Sequence, residues 1–187
     1  MHPDYLGDSY DIVKRFFCEA LRCIGYTVYI DPMFTGEWSG QETAFYRFLG
    51  VEQLTSTPMP STPTALFLDP DTGVNRKGGR SHVSYERVVS EARKHKIVFA
   101  FDQGFSRGMA PEPQIREKIE AIAVLGCSAI YYDSHARFLF VSRERSELQK
   151  LRSELVAQGL PNSRFIEAAP NPTVERDARK SGARSSL

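Results

Sequence analysis

The chain has 187 residues, 41% of them hydrophobic and 25% charged, with a formal net charge of +1. That length suits one domain with a sizeable core, and the near-neutral balance excludes a global field drawing nucleic acid or membrane to the whole surface. Cys18, Cys23 and Cys127 form no C-x-x-C pair, which excludes a zinc-ribbon framework and predicts reduced thiols.

Asp8 or Ser9 caps a first helix whose apolar stripe runs through Ile12, Val13, Phe16, Phe17, Ala20, Leu21 and Ile24. Asp11 falls in its first turn, Gly25 ends it, and Lys14, Arg15 and Arg22 are assigned to its outer side. Tyr26 to Gly36 reads as the first strand, finishing in Asp31-Pro32, and Gln41 to Leu49 as a short helix with Phe45, Phe48 and Leu49 inward. Residues 51–63, rich in Ser, Thr and Pro, read as a linker. The apolar run Thr64-Ala-Leu-Phe-Leu68 then ends abruptly in Asp69-Pro-Asp-Thr-Gly73, followed by a basic, glycine-rich loop from Asn75 to His82.

Ser84 to Lys94 predicts a helix, and Ile97 to Phe101 a buried strand closing on Asp102. Gln114 to Leu125 is an amphipathic helix through Ile115, Ile119, Ile122 and Ala123. Ser128–Asp133 and Arg137–Ser142 predict an antiparallel pair joined at Ser134-His135-Ala136. Glu147 to Gln158 is a helix carrying Leu148, Leu151 and Leu155, and Leu160–Ile166 adds an edge segment. Beyond about Ala168 there is little apolar surface. The expected division is one Rossmann-like α/β domain over 1–166 and a disordered C-terminal tail over 167–187.

Strands alternating with helices imply βαβ units. The expected class is α/β: a three-layer, Rossmann-like, methyltransferase-like, mainly parallel sheet with an antiparallel hairpin at one edge. Parallel strands would range Asp31, Asp69 and Asp102 along one carboxyl edge, where such folds bind ligands. No apolar run nears the roughly 18–20 residues of a membrane span, and Met1-His-Pro-Asp-Tyr5 lacks the regions of a signal peptide. The expectation is a cytoplasmic protein with no membrane partner.

Several residues can carry chemistry. Asp69 and Asp71, two apart at a strand end, suit a shared divalent cation or, equally in keeping with the sequence, simple capping of the following turn. Arg76, Lys77 and Arg80 can contact phosphate, with Gly78 and Gly79 letting the backbone approach it. No G-x-x-x-x-G-K-[ST] is present. Gly104-Phe-Ser-Arg-Gly108 matches G-x-S-x-G, but Met109-Ala-Pro-Glu-Pro113 intervenes where a nucleophile elbow runs directly into its helix. His135 at the hairpin tip can serve as a base or phosphate contact. Trp38, Tyr131 and Tyr132 can stack on a base or pack within the fold. No spacing points to a protein-bound metal cluster of His or Cys.

Leu6-Gly-Asp-Ser-Tyr-Asp-Ile-Val-Lys-Arg15, Tyr29-Ile-Asp-Pro-Met-Phe-Thr-Gly36 and Asp69-Pro-Asp-Thr72 resemble three segments of the Rossmann-fold methyltransferases that act on adenine N6 in nucleic acid. They resemble, in order, the opening G-N-x-x-D-V-x-K-H segment, the first strand h-h-D-x-F-A-G-x-G, and D-P-P-[YF]. The resemblance implies S-adenosylmethionine as cofactor, with Gly7, Lys14, Asp31, Thr35 and Gly36 holding it. It also implies Asp69, Asp71 and Thr72 as the polar floor facing the target amine, and nucleic acid or a nucleotide as partner. Thr35-Gly36-Glu37-Trp38 lacks the second glycine, and Asp71-Thr72 replaces proline and aromatic. The whole chain also resembles a bacterial family carrying Gly-Asp-Ser-Tyr-Asp and Leu-Asp-Pro-Asp-Thr-Gly, which implies no activity. The leading expectation is therefore a methyltransferase-like protein acting on or binding nucleic acid or nucleotides around Asp69. The competing ones are a metal-dependent phosphoesterase or nuclease using Asp69, Asp71 and Asp102, and a non-catalytic interaction module.

Overall fold

The computed structural model describes residues 3–34, 36–53, 62–106 and 108–168. Thr35, and residues 169–187 of the tail expected over 167–187, lie outside the described residues, while Glu167 belongs to the last strand. The first helix, α1, runs Ser9–Cys23 and is followed by strand β1 (Thr27–Asp31) and helix α2 (Glu42–Leu49). Then come β2 (Glu52–Gln53), β3 (Thr64–Leu68), β4 (Gly73–Asn75), β5 (His82–Ser84), α3 (Tyr85–Glu91) and β6 (Ile97–Phe101). The chain continues through α4 (Pro111–Val124), β7 (Ser128–Tyr132), β8 (Phe138–Ser142), α5 (Arg145–Ala157) and β9 (Phe165–Glu167).

Among the described residues seven strands form one sheet in the order β2-β1-β3-β6-β8-β7-β9. The β2, β1, β3 and β6 ladder is parallel, whereas β8 runs antiparallel to β6 and β7, and β9 antiparallel to β7. Among the described residues the fold class is thus α/β with a mostly parallel mixed sheet and five α-helices, compatible with a Rossmann-like arrangement. The β7–β8 hairpin is inside the sheet rather than at its edge, because Phe165–Glu167 adds β9 beyond it. Two further expectations change. Glu52–Gln53, inside the expected linker, forms the edge strand β2, and the expected basic loop is bounded by a short parallel ladder of β4 with β5.

Both faces of the sheet are covered, as near-continuous apolar strands require. Val28, Ile30, Ala65, Phe67, Ile97, Phe99 and Phe101 pack into one layer with α1, α2 and α5. Leu66, Leu68, Val98 and Ala100 pack into the other with α3 and α4. Phe67 and Phe99, cross-strand neighbours, stack at 4.8 Å, and Phe99 stacks on Phe140 at 5.9 Å. Trp38 and Tyr131 belong to this packing. Trp38 is buried against Phe34 and Phe45, and Tyr131 is fully buried.

Helix α1 presents a different stripe from the one its apolar residues predict. Ile12 is 58% exposed, while Asp11 and Lys14 are buried on the same side as Phe17, Cys18 and Leu21. A lysine tolerates such burial only when its charge is paired, and it is paired here.

Candidate functional site

The parallel ladder does bring Asp31, Asp69 and Asp102 to one edge, at or just past the ends of adjacent strands β1, β3 and β6. Asp69 N–H donates to the Asp31 carbonyl at 3.0 Å, extending the ladder by one rung. Side chains alternate between faces along a strand. Leu68 faces the α3–α4 layer, so Asp69 turns to the α1 layer. Phe101 faces the α1 layer, so Asp102 turns to the α4 layer. The acids share an edge but not a face.

Asp102 closes a buried network. Its Oδ1 accepts from Val74 N–H and Gly104 N–H, each at 3.0 Å, and its Oδ2 from Lys118 Nζ at 2.5 Å and Tyr131 O–H at 2.9 Å. Lys118 also donates to the Gly104 carbonyl at 2.9 Å and stands 4.4 Å from the Phe105 ring centre. Burial holds the Lys118 ammonium below its ordinary pKa, against the pull of Asp102. Gly73 is required by this cluster. It has φ +142, and a Cβ there would collide with Asp102 Oδ1 and lie 2.7 Å from Gly104 N. The last residue of Asp71-Thr72-Gly73 is therefore fixed by packing, and Asp102 has no capacity left for a cation.

Asp31 is engaged as well, by an ion pair with Arg87 of α3 and by Met33 N–H at 3.2 Å. Among the described residues no group of three or more His, Cys, Asp or Glu is placed to hold a metal ion. The expected cation site of Asp69, Asp71 and Asp102 does not assemble, since strand alternation sends two of its members to opposite faces.

Asp69 has a different environment. It is 1% exposed, and Lys14 Nζ forms an ion pair with its Oδ2 at 3.0 Å. Neither Asp69 oxygen accepts a hydrogen bond from any described residue, and these are the only buried side-chain N or O atoms among the described residues left so. Lys14 donates at 3.0 Å to Asp11 Oδ1, while Asp11 Oδ2 accepts from Gly7 N–H at 3.1 Å. This last bond, with Asp8 capping Tyr10 N–H at 2.8 Å and Asp11 N–H at 3.0 Å, is a reciprocal helix cap. Burial pushes the Asp69 carboxyl up to about 6, against the opposing charge of Lys14. Burial alone would lower Lys14, but Asp69 and Asp11 outweigh it and hold the ammonium above its ordinary value.

A cavity of about 340 Å³ opens above this triad, lined by Tyr5, Asp8, Tyr10, Asp11, Lys14, Asp69, Pro70, Asp71, Phe101 and Gln103. Gly-Asp-Ser-Tyr-Asp supplies Asp8, Tyr10 and Asp11, and Leu-Asp-Pro-Asp-Thr-Gly supplies Asp69, Pro70 and Asp71. Two motifs some sixty residues apart thus meet at one cavity. Three clefts of about 620, 640 and 660 Å³ lie elsewhere, and none has an unsatisfied buried side chain among its described lining.

Of the other expected site residues, Thr72 is tied into the ladder through its backbone, donating to Ser81 at 2.8 Å and accepting from Gln103 N–H at 3.0 Å. Arg76, Lys77 and Arg80 are exposed and do not line the cavity. In their loop Asn75 Oδ1 already takes Lys77 N–H at 3.0 Å and Gly78 N–H at 2.7 Å, the amides a phosphate would need. Of the positions assigned to the methyl donor, Lys14 alone lines the cavity. Gly7, at φ +90, turns the chain beside Phe48, Gly36 opens a 3-10 turn to Trp38, and Asp31 is held by Arg87. They do not gather into one cradle among the described residues.

Phe101 and Gln103 belong to no motif, and with Tyr10 they build the walls. Tyr10 bonds His135 Nε2 at 2.9 Å and stacks on its ring at 5.1 Å, while Gln103 Nε2 donates to the His135 carbonyl at 2.8 Å. His135, at the β7–β8 turn, braces the wall from behind. Asp11 and Lys14 did leave a signal, since with Phe17, Cys18 and Leu21 they keep the three- and four-residue spacing of a buried helix face. Compared with protein-family models, curated proteins and solved structures, the chain has no match in any of the three.

Proposed function

We propose that the protein is a methyltransferase-like α/β protein directed at nucleotides or nucleic acid, which receives a base in the cavity above Asp69. The observation that carries this reading is the buried Asp69 carboxylate, whose oxygens accept no hydrogen bond from the described residues while it lines a cavity with aromatic walls. An unsatisfied buried acceptor is costly and rare in folded proteins. One kept at a strand end, where α/β folds bind ligands, suits a ligand that supplies the missing donor. The amino group of a base is such a donor, with Tyr5 and Tyr10 beside it to contact the ring. The resemblance of Asp69-Pro70 to the amine-facing turn of adenine methyltransferases points the same way.

The described positions implied for S-adenosylmethionine, Gly7, Lys14, Asp31 and Gly36, do not converge on one cradle. Calorimetric titration separates the two parts of the reading. Adenosine is expected to bind the wild type and to lose most of its affinity for Asp69→Asn, in which one carboxylate oxygen is replaced by a donor. Absence of heat with adenosine and with short oligonucleotides at millimolar ligand would overturn base binding. Absence of heat or thermal shift with S-adenosylmethionine would remove the methyl-donor part alone.

A further inference from the structure

The cleft of about 620 Å³ lies at the opposite end of the strands from Asp69, among the residues entering β3 and β6 and those leaving β8. Arg93, Lys94, Lys96, Arg143 and Glu144 are its charged lining. His95 is its buried floor, kept neutral by burial and bonded to Thr64 Oγ1 at 3.0 Å. Both lysines are paired, Lys94 with Glu91 at 2.9 Å and Lys96 with Glu144. A third acid acting on Lys96, Glu147, accepts from the Tyr26 hydroxyl. Arg93 and Arg143 are exposed, and their side chains make no hydrogen bond or ion pair with any described residue. Residues 54–61, which precede the cleft in the chain, contain no acid. The two guanidiniums act on one neighbourhood: both pull down the Cys127 thiol that burial raises, and Arg143 also opposes the charge of Lys96. Arg93 follows α3, where the dipole favours a cation. Arg143 stands two residues before α5, where the dipole disfavours one. The N-cap of α5, Glu144, gives the first amides no side-chain acceptor, because its carboxylate turns to Lys96. Like charges gathered at such a terminus repel one another unless an anion joins them.

We propose that this cleft is an anion site that takes a phosphate group between Arg93 and Arg143 at the N-terminus of α5. A guanidinium fork matches two phosphate oxygens, and a helix N-terminus adds amides and partial positive charge. A tetrahedral phosphate has oxygens enough for both arginines and an amide at once, which a planar carboxylate does not. The five residues of β3 separate the cleft from Asp69. That is about 16 Å of strand, farther than the base and phosphate of one nucleotide reach. The site is therefore separate from the cavity above Asp69 and stands whether or not that cavity receives a base. A small phosphate ester and a nucleic-acid backbone present the same group, and they differ in their response to salt.

The test is calorimetric titration of the full chain at neutral pH with inorganic phosphate and with a short single-stranded oligonucleotide lacking terminal phosphates, each at low and high salt. Phosphate at millimolar concentration is expected to bind the wild type. Its affinity should fall about tenfold in Arg93→Gln or in Arg143→Gln, the loss of one charged hydrogen-bonding group, and beyond detection in the double variant. In phosphate-free buffer Arg143→Gln is expected to melt no lower than the wild type, since it removes a cation from a helix N-terminus. A lower melting temperature there would mean that Arg143 already has a partner, and would overturn the site. Phosphate binding lost in the double variant upholds it with a small ester as the source. Binding of the oligonucleotide alone, with a salt slope reduced by roughly one to two in the double variant, upholds it with a backbone as the source. Binding of neither, or binding indifferent to the double substitution, would overturn it.

Discussion

The ends of β3 and β6 carry the same pair of residues, a buried aspartate beside a buried lysine, and use them in opposite ways. Asp102 takes two backbone amides, a lysine and a tyrosine, so each oxygen is satisfied. The β4–β5 ladder delivers one of those amides, Val74 N–H, and the tight Gly104 turn the other. Asp69 has the ion pair with Lys14, no accepted hydrogen bond of good geometry from the described residues, and a cavity in front of it. Polar satisfaction separates the two more sharply than burial or charge does. A satisfied buried pair fixes the fold, and an unsatisfied one is a fault unless something fills it.

Removing the closed pair should have the largest effect. Asp102→Ala strands the Lys118 ammonium and two backbone amides in the core, and is expected to lower unfolding free energy by about 3–5 kcal/mol, measured by denaturant titration. Gly73→Ala attacks the same cluster from the backbone and should be similarly severe, because its Cβ collides with Asp102 and its φ is hostile to side chains. If Asp102→Ala costs less than 1 kcal/mol, as exposed pairs do, the network is not the brace described.

The open pair is expected to respond in the opposite direction. The Asp69 carboxyl rises from its ordinary 3.8 to about 6 on folding. Between those values the native state holds a proton that the unfolded chain has lost, so stability falls as pH rises through this window. The charges acting on Asp69 are Lys14 and the N-terminal ammonium, which oppose the rise, and Asp11, which adds to it. Above about pH 6 ionised Asp69 costs the native state on the order of 1–3 kcal/mol. Asp69→Asn should recover part of that at neutral pH and flatten the slope, while losing ligand. Stability gained with binding lost is the expected mark of a functional residue. A slope unchanged in Asp69→Asn would assign the titration to another group.

The fold was legible because it is written in apolar runs. Five-residue strands with both faces buried, and helices with leucine or isoleucine at every third or fourth position, leave few alternatives. Glu52–Gln53 left no such trace, since an exposed two-residue edge strand needs no apolar pattern. The site was legible only in part. Strand-terminal aspartates marked the right edge, but the face each one takes depends on register, one residue deciding between cavity and core. Hydrophobic patterning counts a lysine as polar and so places Lys14 on the outer face. The sign of its burial was the helix face it shares with Asp11, Phe17, Cys18 and Leu21. Tyr10 and Gln103 became wall residues through contacts with His135, far along the chain, which no local pattern carries.

That wall offers the smallest expected effect and the finest test of the contrast. The Tyr10 hydroxyl bonds His135 at an exposed position, so Tyr10→Phe should cost under about 1 kcal/mol of stability. The phenylalanine ring keeps its stack on His135 and its edge contact with Phe101, 5.4 Å between centres. Ligand affinity should then be nearly unchanged in Tyr10→Phe and several-fold weaker in Tyr10→Ala, because the ring face, not the hydroxyl, meets the guest. Equal losses in both variants would mean that the hydroxyl holds the ligand. The cavity would then be a polar site throughout, closer in kind to the Asp102 network than its open carboxylate suggests.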